Sequence, residues 1–257
     1  MRKLIALASF VALVMASCTN ETPAGDANAK GSVVFDLAIQ TEVDDTRSNI
    51  NCTTPAVEAF KLTIEGVNHT YKKEYATIAQ FNENDNYLHI GTYRATVTAG
   101  DITKEGYDVP TFIGSAEFSV SARENTEVEI TATIANTLVK VVTTDAFNNY
   151  FVGGAKFELT TNGGNKFDVT AKTEPLFIAP EEFVVNGTAT KQPNQSGAAG
   201  VEVTLPEYKM ETPAAKTFYT IKFDVTNAGG TSLEITLNDT LADSIALEDV
   251  ELNDNAK

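Results

Sequence analysis

The chain has 257 residues, with 35 acidic against 19 basic side chains and a net charge of -16, which makes it a poor ligand for phosphate backbones or anionic lipid. Nucleic acid and peripheral membrane binding are not expected on that ground, and the charge reads as a solubility feature of an exported surface. The length suits one or two domains, each large enough to bury its own core.

At the amino terminus, Arg2 and Lys3 precede an uncharged apolar run from Leu4 to Val14. This is a secretory signal pattern, and the run is too short for a membrane-spanning helix, which needs about twenty apolar residues. The following Met15-Ala16-Ser17-Cys18 resembles the lipobox of bacterial lipoproteins. That resemblance implies removal of residues 1–17, a diacylglycerol on the sulfur of Cys18 and acylation of its new amino terminus. Cys52 then has no intramolecular partner. A Cys18–Cys52 bridge is the competing reading and requires a different maturation. Residues 18–30 are polar, contain Pro23 and Gly25, and read as a flexible tether behind the anchor.

From Ser32 onward the pattern is period-two alternation. Val33, Phe35, Leu37 and Ile39 form one apolar row; Phe60, Leu62 and Ile64, then Tyr93, Ala95 and Val97, then Val128, Ile130, Ala132 and Ile134 form others. Threonine and β-branched residues fill these rows and helical periodicity is weak, so the expected class is all-β. Asp44 to Asn49 and Asn82 to Asn86 read as polar loops, the second with oxygen donors that could suit calcium but without the spacing of an EF-hand. Gly91-Thr92-Tyr93 resembles the start of a late strand in immunoglobulin-like sandwiches, whose tyrosine hydroxyl bonds back to an upstream turn; an ordinary strand aromatic is the alternative.

The pattern restarts near Ala135-Asn136-Thr137, which divides the mature chain into residues 31–135 and 136–257. In the second part Asn162-Gly163-Gly164-Asn165 predicts a tight primed hairpin turn between Phe157-Leu159 and Phe167-Val169. A second hairpin turns at Ala228-Gly229-Gly230, and Asn194 to Gly200 reads as a mobile loop. Seven or eight short strands per part point to two tandem immunoglobulin-like β-sandwich domains after a lipoprotein signal peptide, with a single large barrel as the alternative.

Several of these pieces resemble a family of Bacteroidetes lipoproteins catalogued as domain of unknown function four-four-nine-three. They are the lipobox, Lys30-Gly31-Ser32 with Thr46-Arg47-Ser48, Gly91 to Val97, Ile134-Ala135-Asn136, and Ala215 to Val225. The family has no settled activity and is similar in layout to fimbrillin-type surface proteins. That likeness implies an outer-membrane, lipid-anchored protein at the cell surface, with the periplasmic face as the alternative. An acidic export signal after the cysteine is present only as Glu21 and Asp26. It also singles out Arg47, because in fimbrillin precursors an arginine after the first strand is cut and the strand removed. Here the loss of Ser32 to Gln40 would uncover the face that Val33, Phe35, Leu37 and Ile39 cover, leaving an edge open to strand addition.

Chemistry-bearing patterns are few. His69 and His89 have no nucleophile placed beside them, and no phosphate loop, serine-hydrolase elbow or zinc spacing occurs. The expected protein is not an enzyme and takes no cofactor or metal. Its expected role is structural or adhesive at the cell surface, with self-association or a surface glycan as the partner. The alternative is a glycan-binding lipoprotein of a nutrient-acquisition system. Tyr71, Tyr75, Tyr87 and Tyr107 are the aromatic side chains that could form a sugar platform, since tryptophan is absent. Asp239-Thr240-Leu241 and Asp243-Ser244-Ile245 resemble the motif at which Bacteroidetes attach O-glycans, making Thr240 and Ser244 candidate glycosylation sites.

Overall fold

The computed structural model describes residues 28–41, 52–191 and 200–225 in full, and the backbone alone of 226–227, 230–237, 245–246 and 250–251. Among the described residues the chain is all-β apart from two short helices and a single 3-10 turn. In order, β1 (Lys30–Gln40), β2 (Lys61–Gly66), β3 (Lys72–Tyr75), helix α1 (Ile78–Asn84), β4 (Tyr87–His89), β5 (Gly91–Ala99), β6 (Gly106–Tyr107), β7 (Phe112–Val120) and β8 (Asn125–Ile134) make up the first part. There follow β9 (Thr137–Thr143), helix α2 (Asp145–Tyr150), β10 (Ala155–Thr161), β11 (Lys166–Asp168), β12 (Leu176–Ile178), β13 (Phe183–Lys191), β14 (Val201–Thr204) and β15 (Tyr208–Met210). The last strands are β16 (Phe218–Asn227), β17 (Gly230–Leu237), β18 (Ile245–Ala246) and β19 (Val250–Glu251).

The alternating rows become one first core. Side chains of Val33, Phe35, Leu62, Ile64, Tyr93, Val97, Val128 and Ile130 are buried in it, with Leu37 and Ile39 packed at its margin. The strands run in the order β3-β2-β5-β7-β8-β1-β4. β7 and β8 pair only at Phe112 with Ile134 and Ile113 with Thr133, so the path turns a corner there and its two arms face each other. Phe35 on β1 meets Phe118 on β7 edge-on across the gap, with ring centroids 5.3 Å apart. Such a pair contributes about 0.5–1.5 kcal/mol beyond the area it buries.

β1 is an interior strand, not an edge. It runs parallel to β8 over nine residue pairs and antiparallel to β4 over three. Beyond β4, Asn82 on α1 takes over: its Oδ1 accepts from the Phe35 N–H at 3.1 Å and its Nδ2 donates to the Phe35 carbonyl at 3.0 Å. The Asn82–Asn86 stretch is therefore the end of a helix and a short connection, not a free loop. Its start carries a signal that the strand-dominated reading passed over. Thr77 caps α1 by accepting from the Gln80 N–H, while the Gln80 side chain accepts from Ala76 N–H, a variant of the capping box.

A second core lies between β11-β10-β13-β14 (with β15 also on β13) and β18-β17-β16-β9-β12-β6. Phe157 and Phe223 join the two sheets with ring centroids 4.4 Å apart. The predicted hairpin joins β10 and β11, but its turn is of another type. Gly164 N–H donates to the Thr161 carbonyl and Thr161 N–H to the Asn165 carbonyl. Only Gly164 has positive φ, at 80°, and neither Asn162 nor Gly163 does. The second glycine takes the left-handed position, giving a type I turn closed by a bulge in place of a primed turn. The second hairpin pairs β16 with β17, and its Ala228 and Gly229 lie outside the described residues, as does the 192–199 stretch.

The boundary at Ala135-Asn136 is crossed in both directions. β6, from the first part, pairs with β12 in the second sheet system. Leu138, Phe177 and Phe218 form one cross-strand row on β9, β12 and β16 and pack on the first core, while their neighbours Val139, Leu176, Ile178 and Ile221 point into the second. Buried Asn136 accepts from Thr111 N–H at 2.6 Å and donates to the Ile178 carbonyl. Glu105 reaches across to accept from Thr161 Oγ1 at 2.7 Å, Asn165 Nδ2 at 2.8 Å and Ala179 N–H at 3.0 Å.

Removing Glu105 leaves those three donors without their acceptor. Glu105→Ala is expected to cost roughly 1–3 kcal/mol and to broaden or split the denaturant unfolding transition, whereas Glu129→Ala, on an exposed position of β8, changes neither. An unchanged midpoint and slope for Glu105→Ala would show that the joint holds without it.

A pH dependence follows from two aspartates that tie loops to the fold. Asp108 is held below the usual carboxylate range by the Thr53 backbone N–H and then its hydroxyl, and Asp224 by the Thr144 hydroxyl and then the Val225 N–H. A carboxyl with a depressed folded pKa stabilises fully above its unfolded value of about 3.9 and loses that contribution as pH falls through the folded value. Thermal unfolding is expected to be flat from neutrality to about pH 5 and to drop below about pH 4. Asp108→Asn, which tolerates the positive φ of 51° at this position, should make the drop shallower.

Candidate functional site

The outer face of the β11-β10-β13-β14 sheet carries a groove of about 840 Å³. Strand alternation puts Phe157, Leu159, Val185 and Ala189 into the core and leaves the intervening side chains outside. Those outside make two cross-strand rows. In one, Glu158 of β10 lies opposite Asp168 of β11 and Asn186 of β13. In the other, Lys156 lies opposite Thr188, which lies opposite Thr204 of β14. Gly187 sits between the rows with its absent side chain directed inward, where a Cβ would come within 2.8 Å of the Phe157 ring and 3.0 Å of Leu205.

Charges in the groove balance locally. Lys166 pairs with Glu158 at 2.7 Å. Asp168 is held below the usual carboxylate range first by the Thr170 backbone N–H, then by the Thr170 hydroxyl, with Lys172 and Lys156 adding attraction. Among the described residues, the Asn186 amide and the Thr188 and Thr204 hydroxyls have no side-chain hydrogen-bond partner, which leaves them to water or a ligand. Beyond Lys156 the groove continues into a smaller depression of about 90 Å³ lined by Gly153, Gly154, Thr190 and Glu202. Nothing in the sequence pointed here, because single polar residues alternating along a strand look the same over any solvated sheet face.

The sites expected from the sequence are placed differently. Cys18, Arg47, Thr240 and Ser244 lie outside the described residues. The four tyrosines do not form a platform. Tyr75 is buried, its hydroxyl donating to Asp85 at 2.6 Å, and Tyr71 packs edge-on against Tyr93 in the first core. Tyr107 sits at the joint and donates to the Asp168 carbonyl, while Tyr87, 61% exposed, stands apart on β4. Two sheet-facing aromatics and one at the joint cannot present their faces to a sugar.

Tyr93 does what the Gly-x-Tyr pattern suggested: its hydroxyl donates to the His89 carbonyl at 2.9 Å. His69 packs edge-on against the same ring, with centroids 4.7 Å apart. Both histidines are thus bound up with this corner. The asparagine cluster is also committed, Asn82 to the β1 backbone, Asn84 to the Gln80 carbonyl and Asp85 to Lys73 and Tyr75. Among the described residues no three His, Cys, Asp or Glu side chains gather as a metal site would require. Cys52 is half-buried against the first core, and burial, with Asp108 nearby, pushes its thiol pKa up.

Comparison with known proteins gives a family and distant structural likenesses. No curated protein matches the chain. A candidate cell adhesion protein from Bacteroides eggerthii is 8% identical with a TM-score of 0.41, covering 77% of this chain and 86% of that one. A second candidate cell adhesion protein, from Bacteroides ovatus, is 9% identical with a TM-score of 0.36, covering 86% and 97%. A protein from Bacteroides thetaiotaomicron described as a candidate polysaccharide-binding protein is 9% identical with a TM-score of 0.32, covering 80% and 95%. Residues 29–254 match the family described as Domain of unknown function (DUF4493), and the chain belongs to that family.

Proposed function

We propose that this protein is a lipid-anchored component of the outer membrane, displayed at the cell surface, whose two tandem β-sandwich domains serve a structural or adhesive role without catalysis. The observation that carries the reading is the joint between the two parts. A pair of domains meeting at a polar, hinge-like contact moves freely. Here a strand of one part extends the sheet of the other, an apolar row is shared between the cores, and Glu105 and Asn136 close the remaining gap. That construction suits a body that projects from a membrane and transmits load.

The sequence supports the anchor. Met15-Ala16-Ser17-Cys18 supplies the lipid acceptor, and residues 18–30 supply a tether ahead of β1. Two of the described strand edges, at β3 and at β14–β15, carry features that work against simple edge pairing. β3 carries Lys72 and Lys73, the β14–β15 edge is interrupted by Pro206, and Lys209 is paired with Glu182 on it. These are devices that discourage one sheet from adding to another. Assembly by strand exchange needs a strand to leave. Cleavage after Arg47 is the event that would release β1, and its interior position means that two ladders break together.

Protease shaving of intact cells, with released and retained peptides mapped by mass, tests the reading. The expected result is release of fragments from residues 31–257 and retention of an acylated Cys18 peptide, with Cys18→Ser moving the protein out of the membrane fraction. Full protection in intact cells would place the protein on the periplasmic face and remove the surface role. A native chain that still begins at acylated Cys18 rules out the Arg47 cut.

A further inference from the structure

We infer that the groove on the outer face of the β11-β10-β13-β14 sheet binds an extended neutral oligosaccharide. The inference deepens the adhesive reading by naming the chemical class of its partner.

The argument starts from shape. A volume of about 840 Å³ lies within the range of sites that hold small organic ligands. Its continuation past Lys156 to Thr190 and Glu202 makes it longer along the strands than a single sugar ring requires, so it suits a chain of units. Neighbouring strands set side chains about 4.8 Å apart within a row, and the two rows lie about 7 Å apart along the strands. The result is a grid on the scale of pyranose hydroxyls.

The chemistry narrows the occupant. Asn186 and the hydroxyls of Thr188 and Thr204 each donate and accept, Glu158 and Asp168 accept, and Lys156 donates. A vicinal diol needs both kinds of partner side by side. Polyanions, whether nucleic acid or acidic glycans, are disfavoured by a chain charge of -16. An extended peptide is disfavoured for a different reason. Peptides add to sheets along open backbone edges, which here are β11 and β14 at the margins, whereas the groove runs over β10 and β13, each paired on both sides. With no exposed aromatic ring in the groove, binding is led by hydrogen bonds, and each one lost is expected to show. Repeated copies on a cell surface would add avidity to a weak single contact.

The test is a nuclear magnetic resonance titration of the full mature chain carrying Cys18→Ser, with neutral oligosaccharides of glucose, mannose, xylose and galactose, and an oligomer of galacturonic acid beside them. At least one neutral oligosaccharide is expected to shift resonances of Asn186, Thr188 and Thr204. The Asn186→Ala/Thr188→Ala variant should bind it roughly ten-fold more weakly, corresponding to the loss of one or two net hydrogen bonds. Lys156→Ala should weaken it as well, and Tyr87→Ala, outside the groove, should leave it unchanged. The inference is overturned if no neutral oligosaccharide shifts these residues, if shifts map elsewhere, if the galacturonate oligomer binds more tightly, or if the groove variants bind as well as the parent. Because the measurement is made in solution, a negative result leaves the surface-anchor reading standing, and full protection from shaving leaves the groove result standing.

Discussion

The row formed by Phe177, Leu138 and Phe218 is the constraint on which the architecture depends. A strand whose two faces are both dry must carry apolar side chains without alternation; β12 does so with Leu176, Phe177 and Ile178, and β9 at its start with Leu138 and Val139, before Lys140 restores alternation. Each buried Leu or Phe side chain contributes about 1.5–3 kcal/mol relative to leaving it exposed. Because odd and even residues of the same short strands enter different cores, neither core can be completed without the other. The polar contacts at Glu105 and Asn136 follow from this, since burying a joint also buries backbone groups that need partners.

The same logic governs β1. Its alternating row fills the first core, but the strand is held by what lies on either side of its backbone: the parallel β8 along most of its length and, on the other side, β4 and then the Asn82 amide. A side-chain amide standing in for a neighbouring strand satisfies one residue's N–H and carbonyl where the ladder runs out. Parallel pairing recurs in the second part, where β9 runs beside β16 over six residue pairs. In both parts the first strand docks beside a late one, so each closure pairs residues far apart in sequence.

The proposed groove and the lost tyrosine platform have one cause. Whether an aromatic residue near a loop faces water or core depends on which neighbours cover it. Tyr75 is covered by Phe81 of α1, Tyr71 by Tyr93 and Tyr107 by the second part. Conversely Asn186, Thr188, Lys156 and Glu158 come from strands about thirty residues apart in sequence and meet only through the β10–β13 register. Helix α1 shows a nearer miss. Its Thr77 and Gln80 cap was present to be read, but a seven-residue helix offers too little apolar periodicity to stand out among strands.

What the sequence by itself determined was local and repetitive. Period-two alternation named the core faces of β1, β2, β5 and β8; Gly91-Thr92-Tyr93 named a tyrosine corner; and the Asn162 to Asn165 stretch named a hairpin, though not its turn type. These follow from backbone geometry over a few residues, so a few residues suffice to specify them. Tertiary structure alone decided that β1 is interior, that β6 belongs to the far sheet, that Leu138, Phe177 and Phe218 lock the two parts, and that a polar grid lies on one outer face. Each of those depends on which strands pair and in what register, and no single segment carries that information.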